Sequence, residues 1–516
     1  MKTKKLLGML LGVIFLIWLS ACSAGQPTAA LPAPDPTRTA ALTPSSTPFP
    51  TSHPTRKAAE FPAVSPTLVP TPAGIDPGNQ NIKYQLTAHL DYPGRKLFVE
   101  QGLVIPHPGE TGLDELILVV PPNAWQRVFF VEEITYGDGQ PVEGYQLQGV
   151  RLTLPLRETW QPGRALKLRI SYRLDLPIQN AREGYGPSPF GYSQLQTNLV
   201  DWYPMVPPYD QEQGWIVHQP WIFGEYLVYP AADFEVSLLV TGRQDVMVAA
   251  SAREELAANV RLYRLQDARN FVFSISPDYV QLEQQVGETQ VYGYIFPTYR
   301  TAGEAAFQTT VEAFSLFQEL YGPYDQSSLS MVQADFNHGM EYEGLYFQSK
   351  GFFDTYNGSE KNFLTTIAAH ETAHQWWYGQ VANDQALEPW LDEALCTFSE
   401  LVYYEHQYPE AVDWWWATRV NYYQPQGPID GSIYDYTDYQ DQYLAYRDAT
   451  YLQGAKFLYR LRNAMGKEAF TAFLQEYADS YSSQIASGAD FFQVLNRYLD
   501  LQSLDWLGDY FSHLPG

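Results

Sequence analysis

Cysteine is nearly missing from this chain. Its 516 residues contain two, Cys22 and Cys396, so no disulfide framework braces the fold and no cluster of thiolates is available to a metal. Positive charge is also short: 32 Lys and Arg stand against 58 Asp and Glu, for a formal charge of −26. A surface of that sign repels nucleic acid and anionic lipid, which excludes nucleic acid as a partner. Long apolar runs are scarce as well. The sustained one, residues 6–19, is shorter than the roughly 20 residues a spanning helix needs. No domain-sized unit repeats. What is abundant is aromatic: 38 Tyr, 27 Phe and 13 Trp, within 45% apolar residues overall. A chain of this length and composition is expected to form two or three domains with sizeable cores.

The N-terminus reads as an address and an anchor. Lys2, Lys4 and Lys5 precede the apolar run, and the run closes on Leu19-Ser20-Ala21-Cys22. This resembles the lipobox of bacterial lipoproteins, which implies removal of residues 1–21 and lipidation of Cys22. The expected location is extracytoplasmic, with the protein held to a bacterial membrane through that lipid. Residues 22–79 are rich in Pro, Thr, Ala and Ser, as in Thr43-Pro44-Ser45-Ser46-Thr47-Pro48. Proline at that density blocks both helix and ladder hydrogen bonds, so a disordered tether is expected.

Residues 80–285 are expected to form a β-rich domain. Leu116-Ile117-Leu118-Val119-Val120, Leu166-Lys167-Leu168-Arg169-Ile170 and Phe234-Glu235-Val236-Ser237-Leu238-Leu239-Val240 are strand-like, and the last two alternate in part. The domain is read to close near Phe271-Val272-Phe273-Ser274-Ile275-Ser276.

Residues 286–516 change to a helical period. Phe307, Val311, Phe314 and Phe317 share one face, and Gly322-Pro323 ends that helix. Ser330-Met331-Val332-Gln333-Ala334-Asp335-Phe336 reads as a strand. A further helix is expected over residues 359–379, with Ser359 as its N-cap. It contains His370-Glu371-Thr372-Ala373-His374. Residues i and i+4 of a helix lie on one face, so both imidazoles can reach one ion. Glu371 is displaced around the helix, where it can deprotonate a water at the metal's open position. Glu393 follows His374 after eighteen residues, early in another amphipathic helix, and supplies a third ligand. Two His and one carboxylate suit a single catalytic Zn2+. Glu400 lies seven residues beyond Glu393 on the same face; it reads equally as a partner of a ligand His or as an exposed carboxylate. Cys396 reads as a small core residue. Further helices are expected over residues 469–481, 490–499 and 504–511.

This arrangement resembles the aminopeptidase N family of gluzincin zinc metallopeptidases, relatives of the leukotriene hydrolase. The likeness lies in His370 through Glu393, in Gln375-Trp376, and in Trp390-Leu391-Asp392-Glu393. Gly339-Met340-Glu341 is similar to the family's G-x-M-E-N segment, with His338 where its first Gly is usual and Tyr342 where Asn is usual. The resemblance implies that Glu341, with Gly339 and Met340, binds the substrate's free α-amine end beside an edge strand. Thr450-Tyr451-Leu452-Gln453-Gly454-Ala455 is similar to the segment of the catalytic Tyr, so Tyr451 is implied as oxyanion donor. Gln194-Leu195-Gln196 before Trp202-Tyr203-Pro204 implies Gln196 as a second contact to the α-amine.

The fold expected is therefore multidomain α and β: an N-terminal β-rich, saddle-like domain, then a thermolysin-like α+β catalytic domain. The function expected is a zinc aminopeptidase acting on peptides. A zinc endopeptidase is the alternative within the class, since many relatives enclose the site with a large C-terminal helical domain and this sequence stops soon after residue 511. An inactive tethered peptide-binding protein is the alternative outside it, although a binder has no need of Glu371.

Overall fold

The computed structural model describes residues 81–179, 188–257 and 260–513, all within one compact unit, Pro66–Gly516. Cys22, the leader over residues 1–21 and the tether over residues 22–79 lie outside the described residues.

The first two hundred described residues are strands. One seven-stranded sheet runs in the order Glu255–Ala257, Val260–Ala268, Ala232–Thr241, Ile82–Asp91, Lys96–Pro106, Ala165–Asp175, Phe129–Tyr136. Ile82–Asp91 and Ala232–Thr241 pair in parallel, with Ile82 opposite Ala232. Alternation explains their faces: Tyr84, Leu86 and Ala88 of one, and Phe234, Val236 and Leu238 of the other, point inward. A second, four-stranded sheet contains Met247–Ala250, Phe273–Ser276, Thr197–Leu199 and Gly191–Tyr192.

A five-stranded sheet follows, ordered Val280–Val286, Thr289–Ile295, Ser328–Gln333, Leu345–Gln348, Met340–Tyr342. Thr289–Ile295 and Ser328–Gln333 are parallel, so the chain must cross between them. Helix α1 (Arg300–Tyr321) makes that crossing and buries Phe307, Val311, Phe314 and Phe317. The domain boundary read at residue 285 falls inside Val280–Val286, which hairpins with Thr289–Ile295 and belongs to this sheet. The last strand before it is Phe273–Ser276, so the β-rich part closes there, at the apolar run where the sequence placed its end.

The rest is largely helical, and the helices that bear on the site are α1, α2 (Phe363–Ala373), α3 (Trp390–Gln407) and α4 (Gly454–Met465). Helix α2 starts later and ends earlier than residues 359–379. Asn362, not Ser359, is the N-cap, its carboxamide accepting from Thr365 N at 2.9 Å. After Ala373 the carbonyls of His374, Gln375 and Trp376 accept from Gly379, Gln380 and Val381, a looser five-residue spacing that turns the chain. The strand expected at 330–336 is Ser328–Gln333. Near the end, Lys467–Ser480 and Gly488–Leu495 are helical, while residues 504–511 hold only the 3-10 turn Leu507–Asp509.

The β-rich part and the five-stranded sheet share one core: Val332, Phe336, Tyr342 and Phe347 pack with Tyr84, Phe234 and Phe271. Arg269 adds a polar tie. Its buried guanidinium donates to the carbonyls of Gly379 at 2.8 Å, Gln380 and Gln484 at 2.9 Å, Ser483 at 3.2 Å and Tyr229 at 3.4 Å. These two parts are therefore fixed against one another.

Candidate metal centre

Helix α2 is buried on nearly every side, as a helix through a protein interior must be. Its last turn carries His370 and Glu371, with His374 just past its end. Helix α3 packs alongside and offers Glu393 in its first turn, where the helix dipole favours a carboxylate. Gly454, the first residue of α4, makes the third side; a Cβ there would lie 2.3 Å from Ala394 Cβ, so the two helices touch at that point.

His370, His374 and Glu393 offer ligand atoms that all lie within 4.8 Å of one another. His370 Nε2 stands 3.1 Å and His374 Nε2 3.7 Å from the same oxygen, Glu393 Oε2. The opposite ring nitrogens are occupied: His370 Nδ1 meets Glu400 Oε1 at 2.9 Å, and His374 Nδ1 meets the Trp377 carbonyl at 3.2 Å. With Nδ1–H donating to those oxygens, each Nε2 keeps its lone pair toward the centre. Two imidazoles and a carboxylate are the donors of a catalytic zinc, and this set fits one.

Glu400 is not an exposed carboxylate. It is fully buried, accepts from Arg419 at 2.8 and 2.9 Å and from Trp415 Nε1 at 3.0 Å, and holds His370. Burial works against its charge, but Arg419 and His370 outweigh that and keep it below the usual carboxylate range. Burial likewise opposes protonation of His370, yet Glu393 and Glu400 lift it to about 10. Burial, helped by the His370 charge and opposed by Glu393, sends His374 the other way, to about 4. A divalent cation at the centre would pull these groups down.

Glu371 is 95% buried, and its Oε2 has no hydrogen-bond partner among the described residues. Burial, then the Glu393 charge against the relief given by His370, pushes it to about 8. It lies with Glu341 and His374 inside another 4.8 Å group. Gly339 runs against it so closely that a Cβ would meet Glu371 Oε1 at 2.0 Å, which is why only glycine serves there. Met340 and Glu341 stand on Met340–Tyr342, the edge strand of the five-stranded sheet, paired antiparallel to Leu345–Gln348. Glu341 accepts from Gln385 Nε2 at 3.0 Å, and the same amide reaches Asp392 at 2.8 Å. Burial and the charge of Glu225, before those of Glu393 and Glu371, raise Glu341 well above its usual range.

Tyr451 lies on a π-helical turn, Asp448–Gln453, where an extra residue re-aims a side chain. Its ring stacks near His370, at 6.1 Å between centroids, and its hydroxyl donates to Glu393 Oε1. Gln196 is the candidate that does not join this group. Its Nε2 donates to Tyr279 Oη at 2.7 Å and to the Gln333 carbonyl at 3.4 Å, and its Oε1 accepts from Asp335 N at 2.5 Å, so both ends hold the chain leading to Gly339. Cys396 is a buried free thiol on α3, as read.

Sequence reasoning missed Glu225. Its carboxylate comes within 4.8 Å of both Glu341 and Glu393, although it belongs to an irregular stretch of the β-rich part. Tyr446 was missed too; its buried hydroxyl has no partner among the described residues. No periodicity or spacing marks either one.

Residues 305–511 match the family model described as "Peptidase family M1 domain". Aminopeptidase M1-D of Oryza sativa subsp. japonica is 26% identical over 209 residues, which is 38% of this chain and 24% of the rice protein. Aminopeptidase N of Lactobacillus delbrueckii subsp. lactis is 22% identical over 295 residues, 52% of this chain and 34% of that one. The chain thus spans about a quarter to a third of the length of these curated relatives. Among solved structures, the M1 zinc metallopeptidase from Deinococcus radiodurans superposes with a TM-score of 0.57 at 17% identity, covering 85% of this chain and 97% of that one. A mutant of that protein bound to a Tyr-Ser-Ala substrate superposes with a TM-score of 0.56 at 18% identity. The fold is that of two-domain M1 metallopeptidases, with a β-rich N-terminal part and a helical C-terminal part.

Proposed function

We propose that this protein is a zinc-dependent metallopeptidase that removes residues from the free N-termini of peptides, with a saddle-like β domain beside a thermolysin-like catalytic domain. The observation that carries the reading is the convergence of His370, His374 and Glu393 beside a buried carboxylate oxygen of Glu371 that has no partner among the described residues. Those three residues would hold one zinc ion. When bound, zinc supplies the positive charge that polarises a scissile carbonyl and makes water more acidic.

The protein's own groups do the rest. Glu371 takes a proton from the attacking water and passes it to the leaving amine. Tyr451 donates to the developing oxyanion once its hydroxyl leaves Glu393. Glu341, on its edge strand, accepts from the substrate's α-ammonium group and fixes the chain end near the metal. Gln196 supports this through the backbone at Asp335, as a positioning residue. The match to the M1 domain and the likeness to the two aminopeptidases support this reading.

The location belongs to the same proposal. Basic residues, a short apolar run and Leu19-Ser20-Ala21-Cys22 support lipidation at Cys22 and anchorage to a bacterial membrane, facing outward. Mass spectrometry of the native N-terminus tests it; an unmodified Cys22 in the mature protein overturns it. The reaction is tested by zinc content and by kcat/KM on a peptide with a free N-terminus and its acetylated twin. The free form should be cut far faster, one residue at a time. Equal rates with internal cleavage would make the protein an endopeptidase.

A further inference from the structure

The β-rich part sends an irregular strap, residues 216–231, across the C-terminal helical region; it contains neither strand nor helix. Three polar contacts clasp it. His218 Nε2 meets Asp384 Oδ2 at 2.8 Å, the Gln219 carbonyl accepts from Tyr434 Oη at 2.9 Å, and Trp221 Nε1 donates to the Tyr436 carbonyl at 2.8 Å. Past the clasp, Phe223 is buried in a small cluster with Ala386, Ile433 and Tyr446, separate from the two large cores. Gly224 adopts φ +53, and a Cβ there would meet Tyr446 Oη at 2.6 Å and Ile433 Cγ2 at 2.7 Å. The strap therefore lies flat on Tyr446.

Tyr446 belongs to the helix Tyr439–Arg447, which runs straight into the π-helical turn that carries Tyr451. The rings form a line. Phe223 and Tyr446 have centroids 5.6 Å apart, Tyr446 meets Tyr451 edge to face at 6.1 Å, and Tyr451 stacks on His370 at 6.1 Å. Aromatic pairs at such separations attract, and their geometry resists sliding. The Tyr446 hydroxyl has no hydrogen-bond partner among the described residues, so packing and not a polar tie holds that ring in place. Phe223 is the part of that packing which comes from outside the helical region.

Tyr451 has need of the support. Its hydroxyl rests on Glu393 and must reach a developing oxyanion instead, and a shift of about 1 Å in such a group costs about a hundredfold in rate. We infer that Phe223 is a positioning residue for Tyr451. Through Tyr446 it fixes the oxyanion donor against the metal centre, so the β-rich part contributes to kcat. The inference rests on the reading of Tyr451 as oxyanion donor.

The test is a double-mutant cycle on the zinc-loaded full chain, with leucine 4-nitroanilide as substrate and with zinc content and circular dichroism followed in every variant. Tyr451→Phe should lower kcat by about 10²–10³. Phe223→Ala should lower kcat by about ten- to hundredfold, with KM moved less than about twofold and zinc still stoichiometric. Added to Tyr451→Phe, the same change should cost less than about twofold, because no hydroxyl is left to misplace. Phe223→Met, which refills the space, should restore most of the rate. If Phe223→Ala leaves kcat intact, or lowers it equally in both backgrounds, Phe223 does not act through Tyr451, and the inference falls while the reading stands. If Tyr451→Phe itself leaves kcat unchanged, the reading falls and the inference with it. Should Phe223→Ala fail to fold, Phe223→Leu carried through the same cycle decides by the same criterion.

Discussion

At the scale of single residues, the metal centre sorts its side chains by what each can lose. Glu371 meets no donor through Oε2 among the described residues, so replacing it by Gln disturbs little structure. Glu371→Gln should keep stoichiometric zinc by elemental analysis while kcat falls by about 10²–10⁴, because an amide cannot take the water's proton. Glu400→Ala acts differently. It frees His370 Nδ1 and strands the buried Arg419, so zinc affinity should fall about 10- to 100-fold in a chelator competition, with kcat at saturating zinc much less affected. His370, Glu371 and His374 were legible because helical spacing alone puts them together, and Glu393 because eighteen residues after His374 leave room for a turn and a second helix to return beside the first. Glu225 was not, because nothing local brings residue 225 to residue 393; only the packing of Phe223 and Gly224 does. Glu400 was half legible: its face could be read, but its burial depends on Arg419 and Trp415 arriving from a later helix.

Elements show where the sequence pattern was sufficient. A continuous apolar run located the strand around 116–119, partial alternation located those around 166–170 and 234–240, and the apolar stripe of α1 was read residue for residue. Helix ends fared worse. Ser359 is a good cap by type, but its backbone is taken by the turn around Asn357, whose carboxamide accepts from Ser359 N at 3.0 Å. Asn362 caps α2 instead, and Asn362→Ala should lower stability by about 1 kcal/mol in a denaturant titration with the m-value unchanged. The boundary at 285 was misplaced because Val280–Val286 has alternating exposed residues and looks like any β-domain strand; its partner Thr289–Ile295 decides its sheet. Where α4 meets α3, Gly454→Ala would thrust a methyl to 2.3 Å from Ala394 Cβ. That should cost about 1–3 kcal/mol of stability, and it should weaken activity as well, since Ala394 follows the ligand Glu393 directly.

Across the whole molecule, a carboxyl buried beside Arg269 sets a dependence on pH. Glu343 lies near it, fully buried, with one oxygen lacking a partner among the described residues, and burial lifts its carboxyl to about 7 against the relief that Arg269 gives. An unfolded Glu releases its proton near pH 4.5, so between about 4.5 and 7 the folded state holds the extra proton. Stability therefore falls as pH rises through that window, by up to about 3 kcal/mol, and the loss is complete above pH 7. Glu343→Gln should remove this slope: its melting temperature relative to wild type should climb from pH 5 to pH 8. A wild type and variant that stay parallel over that range would show that Glu343 does not titrate there.

The same arginine sets the order of events when the chain is made. Its guanidinium finds its last acceptors at Ser483 and Gln484, 214 and 215 residues further along. A ribosome reaches them only near the end of synthesis. Until then the β-rich part carries a charge it cannot bury, and the apolar face shared with Val332, Phe336 and Phe347 stays open. The nascent chain cannot lock early, which keeps it available to chaperones. Protease protection of stalled chains should thus be low up to residue 480 and rise sharply once residue 484 has cleared the exit tunnel.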